Sequence, residues 1–121
     1  MNLIIDAHQD LSYNILSFGR DYSRSVYETR RLEADHPVPG LKYQSLLGWP
    51  EYNRGKVALV FGTLFAGPLR AEKELYPNQQ VYRTPEEANR IYWNHLNLYH
   101  RLAEEKPEVY RLTLTKSDLR N

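Results

Sequence analysis

Cysteine is absent from the 121 residues. That excludes disulfides, thiolate metal ligands and cysteine nucleophiles, and gives no sign of an oxidising compartment. An excess of one charge is lacking as well. The 16 Lys and Arg stand against 15 Asp and Glu, a formal net charge of +1. No global field then draws the chain to nucleic acid or to an anionic membrane. Long apolar runs are also missing. No stretch approaches the roughly 18–20 apolar residues of a transmembrane helix, and no basic region leads into an apolar segment at the start. A cytoplasmic location is therefore expected. Internal repeats and low-complexity tracts are not found.

The hydrophobic content of 41% and charged content of 26% suit one globular domain over residues 1–121. The most informative stretch is Leu3-Ile4-Ile5-Asp6-Ala7-His8-Gln9-Asp10. Apolar residues lead into polar ones at alternate positions, the pattern of a buried strand ending in a functional rim. Side chains on a strand repeat every two residues, so His8 and Asp10 point the same way if the extended backbone persists. An imidazole and a carboxylate so placed either grip one metal ion or simply hydrogen-bond each other. Both donor types suit zinc. Spacing alone leaves the two readings open.

Beyond Asp10, Leu11, Ile15 and Phe18 fit a short helical face that ends at Gly19. The polar stretch Arg20 to Asp35 and the following His36-Pro37-Val38-Pro39-Gly40 are expected to form a long loop over 20–40. Its Tyr22, Arg24, Tyr27, Arg30 and Arg31 either line a binding mouth or form a solvated surface. Glu28, Glu33 and Asp35 balance these arginines, so no phosphate-tracking stripe emerges and nucleic-acid binding is disfavoured. Ser45 to Asn53 reads as a short helix or turn, with Gly55 at a left-handed C-terminal position. Lys56 to Phe65 is a continuous apolar run, expected as a strand buried on both faces, with Gly62 marking a bulge or a close backbone approach.

The clearest helix follows a polar excursion from Leu69 to Arg83. Thr84 is an N-cap, Pro85 occupies the first helical position and Glu87 completes a capping box. Ala88, Ile91, Tyr92, His95, Leu98, Tyr99 and Leu102 form its apolar stripe, and Pro107 stops it. His95 on that stripe reads as a packed, hydrogen-bonded histidine rather than a ligand. Arg111 to Thr115 alternates like a third strand, and Thr115-Lys116-Ser117-Asp118 resembles another helix cap. Strands alternating with helices predict an α/β fold of parallel βαβ units. A three-stranded parallel sheet leaves edges and a face uncovered, so the chain is expected to be the leading, incomplete part of a (β/α)8 TIM barrel or to assemble with copies of itself.

Ile5-Asp6-Ala7-His8-Gln9-Asp10-Leu11 resembles the opening motif of the renal (membrane) dipeptidases, metal-dependent TIM-barrel hydrolases of the amidohydrolase-like type. Arg54-Gly55-Lys56-Val57 before an apolar strand is similar to that family's second strand. The helix with Asn97-Leu98-Tyr99-His100-Arg101-Leu102 is similar to the helix after it, and Leu112 to Leu119 to the segment beyond. The resemblance covers most of this chain and about the leading third of a family member. It implies that His8 and Asp10 ligate one metal of a two-zinc centre that hydrolyses dipeptides. It implies too that a bridging glutamate and further histidines come from later strands, which cannot be assigned here. Gln9 is not a ligand. No catalytic residue is assigned, the substrate-binding residues are not identified, and these residues alone are expected to be inactive.

A second expectation is non-catalytic. A small α/β module with exposed strand edges, and with ten tyrosines, would self-associate as a homo-oligomer or bind a protein partner.

Overall fold

A computed structural model describes residues 2–70 and 76–120. Strand β1 (Ile4–Gln9) leads into helix α1 (Leu11–Phe18). Gly19, at φ 68°, terminates α1 in the left-handed region, donating its N–H to Ile15 O at 2.9 Å. Helices α2 (Val26–Leu32) and α3 (Trp49–Gly55) follow, with a single 3-10 turn at Pro39–Leu41 between them. Strand β2 (Val57–Gly62), the short strands β3 (Gly67–Pro68) and β4 (Val81–Tyr82), helix α4 (Pro85–Glu105) and a 3-10 turn at Lys116–Arg120 complete the order.

The described residues are mixed α/β with two two-stranded parallel sheets, β1–β2 and β3–β4. In the first, Ile4 lies opposite Val57, Ile5 opposite Leu59, Asp6 opposite Val60 and Gln9 opposite Gly62. The register slips between Ile4 and Ile5 and again between Asp6 and Gln9, so the ladder is irregular where the strands end. The parallel pairing expected for the opening strand and the apolar run is therefore present. The β3–β4 pair lies in and beside the stretch read as a polar excursion.

Helix α4 forms as its sequence dictates. The Thr84 hydroxyl accepts the Glu87 N–H at 3.2 Å, and Glu87 Oε2 accepts the Arg83 N–H at 2.6 Å. The Glu87 carboxylate thus reaches one residue beyond the usual capping-box partner. The apolar stripe of α4 delivers Leu98 and His95 into the interior. Leu11 of α1, Tyr22, Val26 of α2 and Ala66 make up the remaining buried apolar side chains. A second cluster is aromatic. Tyr13 stands edge-on to Phe18 and Phe65, and Phe18 packs beside Tyr76 and His36.

Three expectations need correction. The loop over 20–40 contains α2. Its apolar positions are too few to show a period, and its stability comes from partners distant in sequence. Glu51 of α3 accepts the Val26 N–H at 2.9 Å and the Ser25 hydroxyl at 3.0 Å, while Ser25 caps the Tyr27 N–H. At its other end Glu33, almost wholly buried, takes a bidentate pair from Arg20, at 2.6 and 3.0 Å. Helix α3 runs over Trp49–Gly55 rather than Ser45 to Asn53, and its left-handed end falls one residue later than expected. Lys56, not Gly55, holds the left-handed conformation, at φ 57°. The third strand does not form, because Arg111 to Thr115 has no strand beside it among the described residues. The Asp118 carboxylate does fold back as a cap, accepting the Leu114 and Thr115 N–H groups at 2.9 and 2.7 Å.

The sheet is less covered than its composition predicts. Ile5 is 63% and Phe61 58% exposed, and Leu3 and Ile4 are exposed as well. Parallel strands ordinarily have layers on both faces, and the described residues supply too little to bury these. Among them, no helix is long and apolar enough to cross a membrane.

Lys106, the C-cap of α4, ties that helix to the segment after α1. Its ammonium donates to both Asp21 carboxylate oxygens, at 3.0 and 2.9 Å, and to the Ser23 hydroxyl at 2.8 Å. Partial burial opposes ionisation of Asp21. The Ser23 hydroxyl, Lys106 and the Ser23 N–H outweigh it and bring the pKa down from 3.8 to about 2. A carboxyl depressed on folding stabilises the native state above its unfolded pKa and loses that contribution as pH falls through the folded value. Asp21→Asn should therefore cost stability at neutral pH, and the gap from the parent chain should narrow as pH falls from about 4 towards 2. Urea denaturation across that range measures it; a gap independent of pH would contradict it.

Candidate metal-ligand site at the strand ends

His8 and Asp10 meet as the spacing predicts. His8 Nε2 lies 3.5 Å from Asp10 Oδ1, with side chains 72% and 38% exposed. The pair sits at the C-terminal end of β1, open to solvent. Gln9 between them faces the other way and is buried. Its amide donates to Asp6 Oδ2 at 2.7 Å, and its Oε1 accepts the Tyr52 hydroxyl. Asp6 turns back on its own strand, with Oδ1 accepting the His8 N–H at 3.0 Å. That bond, then the one from Gln9, lowers the Asp6 pKa below the ordinary value.

Asp10 is the N-cap residue of α1, yet its side chain makes no cap hydrogen bond. Aspartate at an N-cap normally turns inward to the free amides of the first helical turn. Here Asp10 Oδ1 instead accepts the hydroxyl of Thr63, just past the end of β2. Thr63 is itself held from several sides. Its N–H donates to Gln9 O at 3.0 Å. Its carbonyl accepts the Ser12 and Tyr99 hydroxyls, each at 3.0 Å. Gly62 makes room for this arrangement, since a Cβ there would lie 2.7 Å from Tyr99 Oη. The glycine read from sequence as a close approach is therefore where the α4 tyrosine meets the strand.

His95 lies behind this rim and is fully buried, at 0% exposure. Its Nδ1 is 2.6 Å from Ser12 Oγ. Its Nε2 is buried with no partner among the described residues. Burial lowers the His95 pKa below its ordinary value, against an opposing pull from Asp10. The ring is packed and hydrogen-bonded, as its place on the stripe predicts. Ser12 is equally enclosed.

The residues of the arginine-rich segment part ways, with Tyr27 and Arg31 exposed. Tyr22 points into the core, Arg30 donates to Ser45 O at 2.7 Å, and Arg24 lies 3.9 and 3.7 Å from Asp21 and Glu28.

The donor pair has the atom types and the separation that zinc needs of two ligands, a separation that a direct His8–Asp10 ion pair shares. Bond lengths of about 2.0–2.2 Å at a tetrahedral angle separate two donors by about 3.3–3.5 Å, and the separation here is 3.5 Å. Exposure leaves Asp10 room for a cation, and the bond from Thr63 is the kind of outer support that ligating carboxylates have. Among the described residues, no group of three or more His, Cys, Asp or Glu is gathered for a metal. Thr63 escaped the sequence reading because its role exists only across the β1–β2 pairing. Comparison with known proteins finds no family model, curated protein or solved structure that matches this chain.

Proposed function

We propose that this chain supplies the first two ligands, His8 and Asp10, of the binuclear zinc centre of a cytoplasmic dipeptidase resembling the renal dipeptidases. On this reading the chain is the leading part of a (β/α)8 barrel. The observation that carries it is the 3.5 Å approach of His8 Nε2 to Asp10 Oδ1 at an open strand end. Active sites of such barrels lie at the C-terminal ends of their strands. The parallel β1–β2 pair and its exposed apolar residues fit a sheet continued by further strands.

Bound zinc would supply Lewis acidity towards the scissile carbonyl and acidify a water near neutral pH. This chain's residues have the following parts. His8 offers the Nε2 lone pair of a neutral imidazole, and Asp10 offers its carboxylate. On this reading both would serve as ligands and not as the general base. Gln9 and Tyr52 lock the strand end from behind. A bridging glutamate, the remaining histidines and the groups that read a dipeptide's amine and carboxylate come from outside the described residues.

Titration of the chain with zinc alone, followed by NMR, tests the reading. The ring resonances of His8 and the carboxyl resonance of Asp10 should respond first, and His8→Ala should abolish the response at Asp10. Equal responses at all exposed histidines, or none at His8, would overturn it.

The exposed Leu3, Ile4, Ile5 and Phe61 favour a second reading, a non-catalytic module that self-associates through its sheet. Light scattering should then find a dimer or larger species that Ile5→Lys dissociates. A monomer at all concentrations would count against it.

A further inference from the structure

We infer that Thr63 is the positioning residue that holds the Asp10 carboxylate in its ligating orientation; this rests on the metal-ligand reading of His8 and Asp10. Two destinations compete for that carboxylate. One is the first turn of α1, whose amides an N-cap aspartate ordinarily takes, although Tyr99 Oη already accepts the Ser12 N–H there. The other is the solvent-facing side, where it lies 3.5 Å from His8 Nε2. Asp10 sits at φ −85°, ψ 49°, outside the extended geometry usual for a capping residue, which already draws its side chain away from those amides. The Thr63 hydroxyl fixes where the carboxylate goes instead, by donating to Oδ1.

A hydroxyl can steer a carboxylate only if it is fixed itself. Thr63 meets that condition through three direct neighbours, with His95 behind one of them. The Gln9 carbonyl takes its N–H at 3.0 Å and lies 3.3 Å from its hydroxyl oxygen. Ser12 and Tyr99 donate to its carbonyl, and the Ser12 N–H approaches Tyr99 Oη at 3.3 Å. His95 in turn pins Ser12. The hydroxyl is thus placed by β1, β2, α1 and α4 together. Outer partners of ligating groups typically tune metal affinity by about 10–100-fold.

Thr63→Val removes the hydroxyl and keeps the shape, and Thr63→Ser restores the hydroxyl. Calorimetric titration with zinc alone should show roughly tenfold weaker binding for Thr63→Val and near-parental binding for Thr63→Ser. A metal-free readout accompanies it. Side-chain scalar couplings should give one χ1 rotamer for Asp10 in the parent, in Thr63→Ser and in His8→Ala, and averaging in Thr63→Val. His8→Ala should lose zinc while keeping that rotamer. A single Asp10 rotamer or parental zinc affinity in Thr63→Val overturns the inference. If the parent binds no zinc at His8, the ligand reading itself falls and takes the positioning role with it. The couplings still report separately whether Thr63 holds Asp10.

Discussion

Parallel hydrogen bonding between Ile4–Gln9 and Val57–Gly62 sets where everything at the strand ends lies. Without it, His8 and Asp10 would be two polar residues at the tip of a free strand. With it, Thr63 arrives beside Asp10, and Gly62 opens the gap through which Tyr99 reaches the same point. The irregular register at this end matters as much as the pairing. A regular ladder would continue past Gln9, whereas the slip between Asp6 and Gln9 lets the chain turn into α1 at once.

Packing from α1 and α4 then makes the rim rigid. The enclosed Ser12 and the Tyr99 hydroxyl converge on one carbonyl, that of Thr63, and the buried His95 holds Ser12 from behind. Buried polar groups stabilise only when they are paired, and nearly all of this set is. The exception is His95 Nε2. The site therefore has a firm back and an open front. Its open front, together with the bare apolar side chains of β1 and β2, is the surface on which more of a barrel would be built under the dipeptidase reading.

How much of this was legible in the residues varies with the range of the forces involved. Helix α4 was plain because its cap, its stripe and its stop are all local. The His8–Asp10 approach was legible because strand alternation is local too. Helix α2 was not, since it depends on Glu51 and on the Arg20–Glu33 pair, whose geometry no nearby residue announces. Arg111 to Thr115 misled because alternation describes a strand's faces and says nothing of whether a neighbour exists to pair with it. Thr63 carried no signal, being 53 residues from the carboxylate it holds. Comparison with known proteins adds no independent support for a family, so the dipeptidase reading stands on the motif and the geometry of the strand end.

X-ray absorption at the zinc edge, on the chain loaded with one equivalent of zinc, puts the account to its most direct test. It predicts one imidazole nitrogen with oxygen donors at about 2.0–2.2 Å, and loss of the imidazole signal in His8→Ala. An imidazole signal that survives in that variant would place the metal on His36 or His100 and contradict the account, as would zinc bound by oxygen alone in the parent chain.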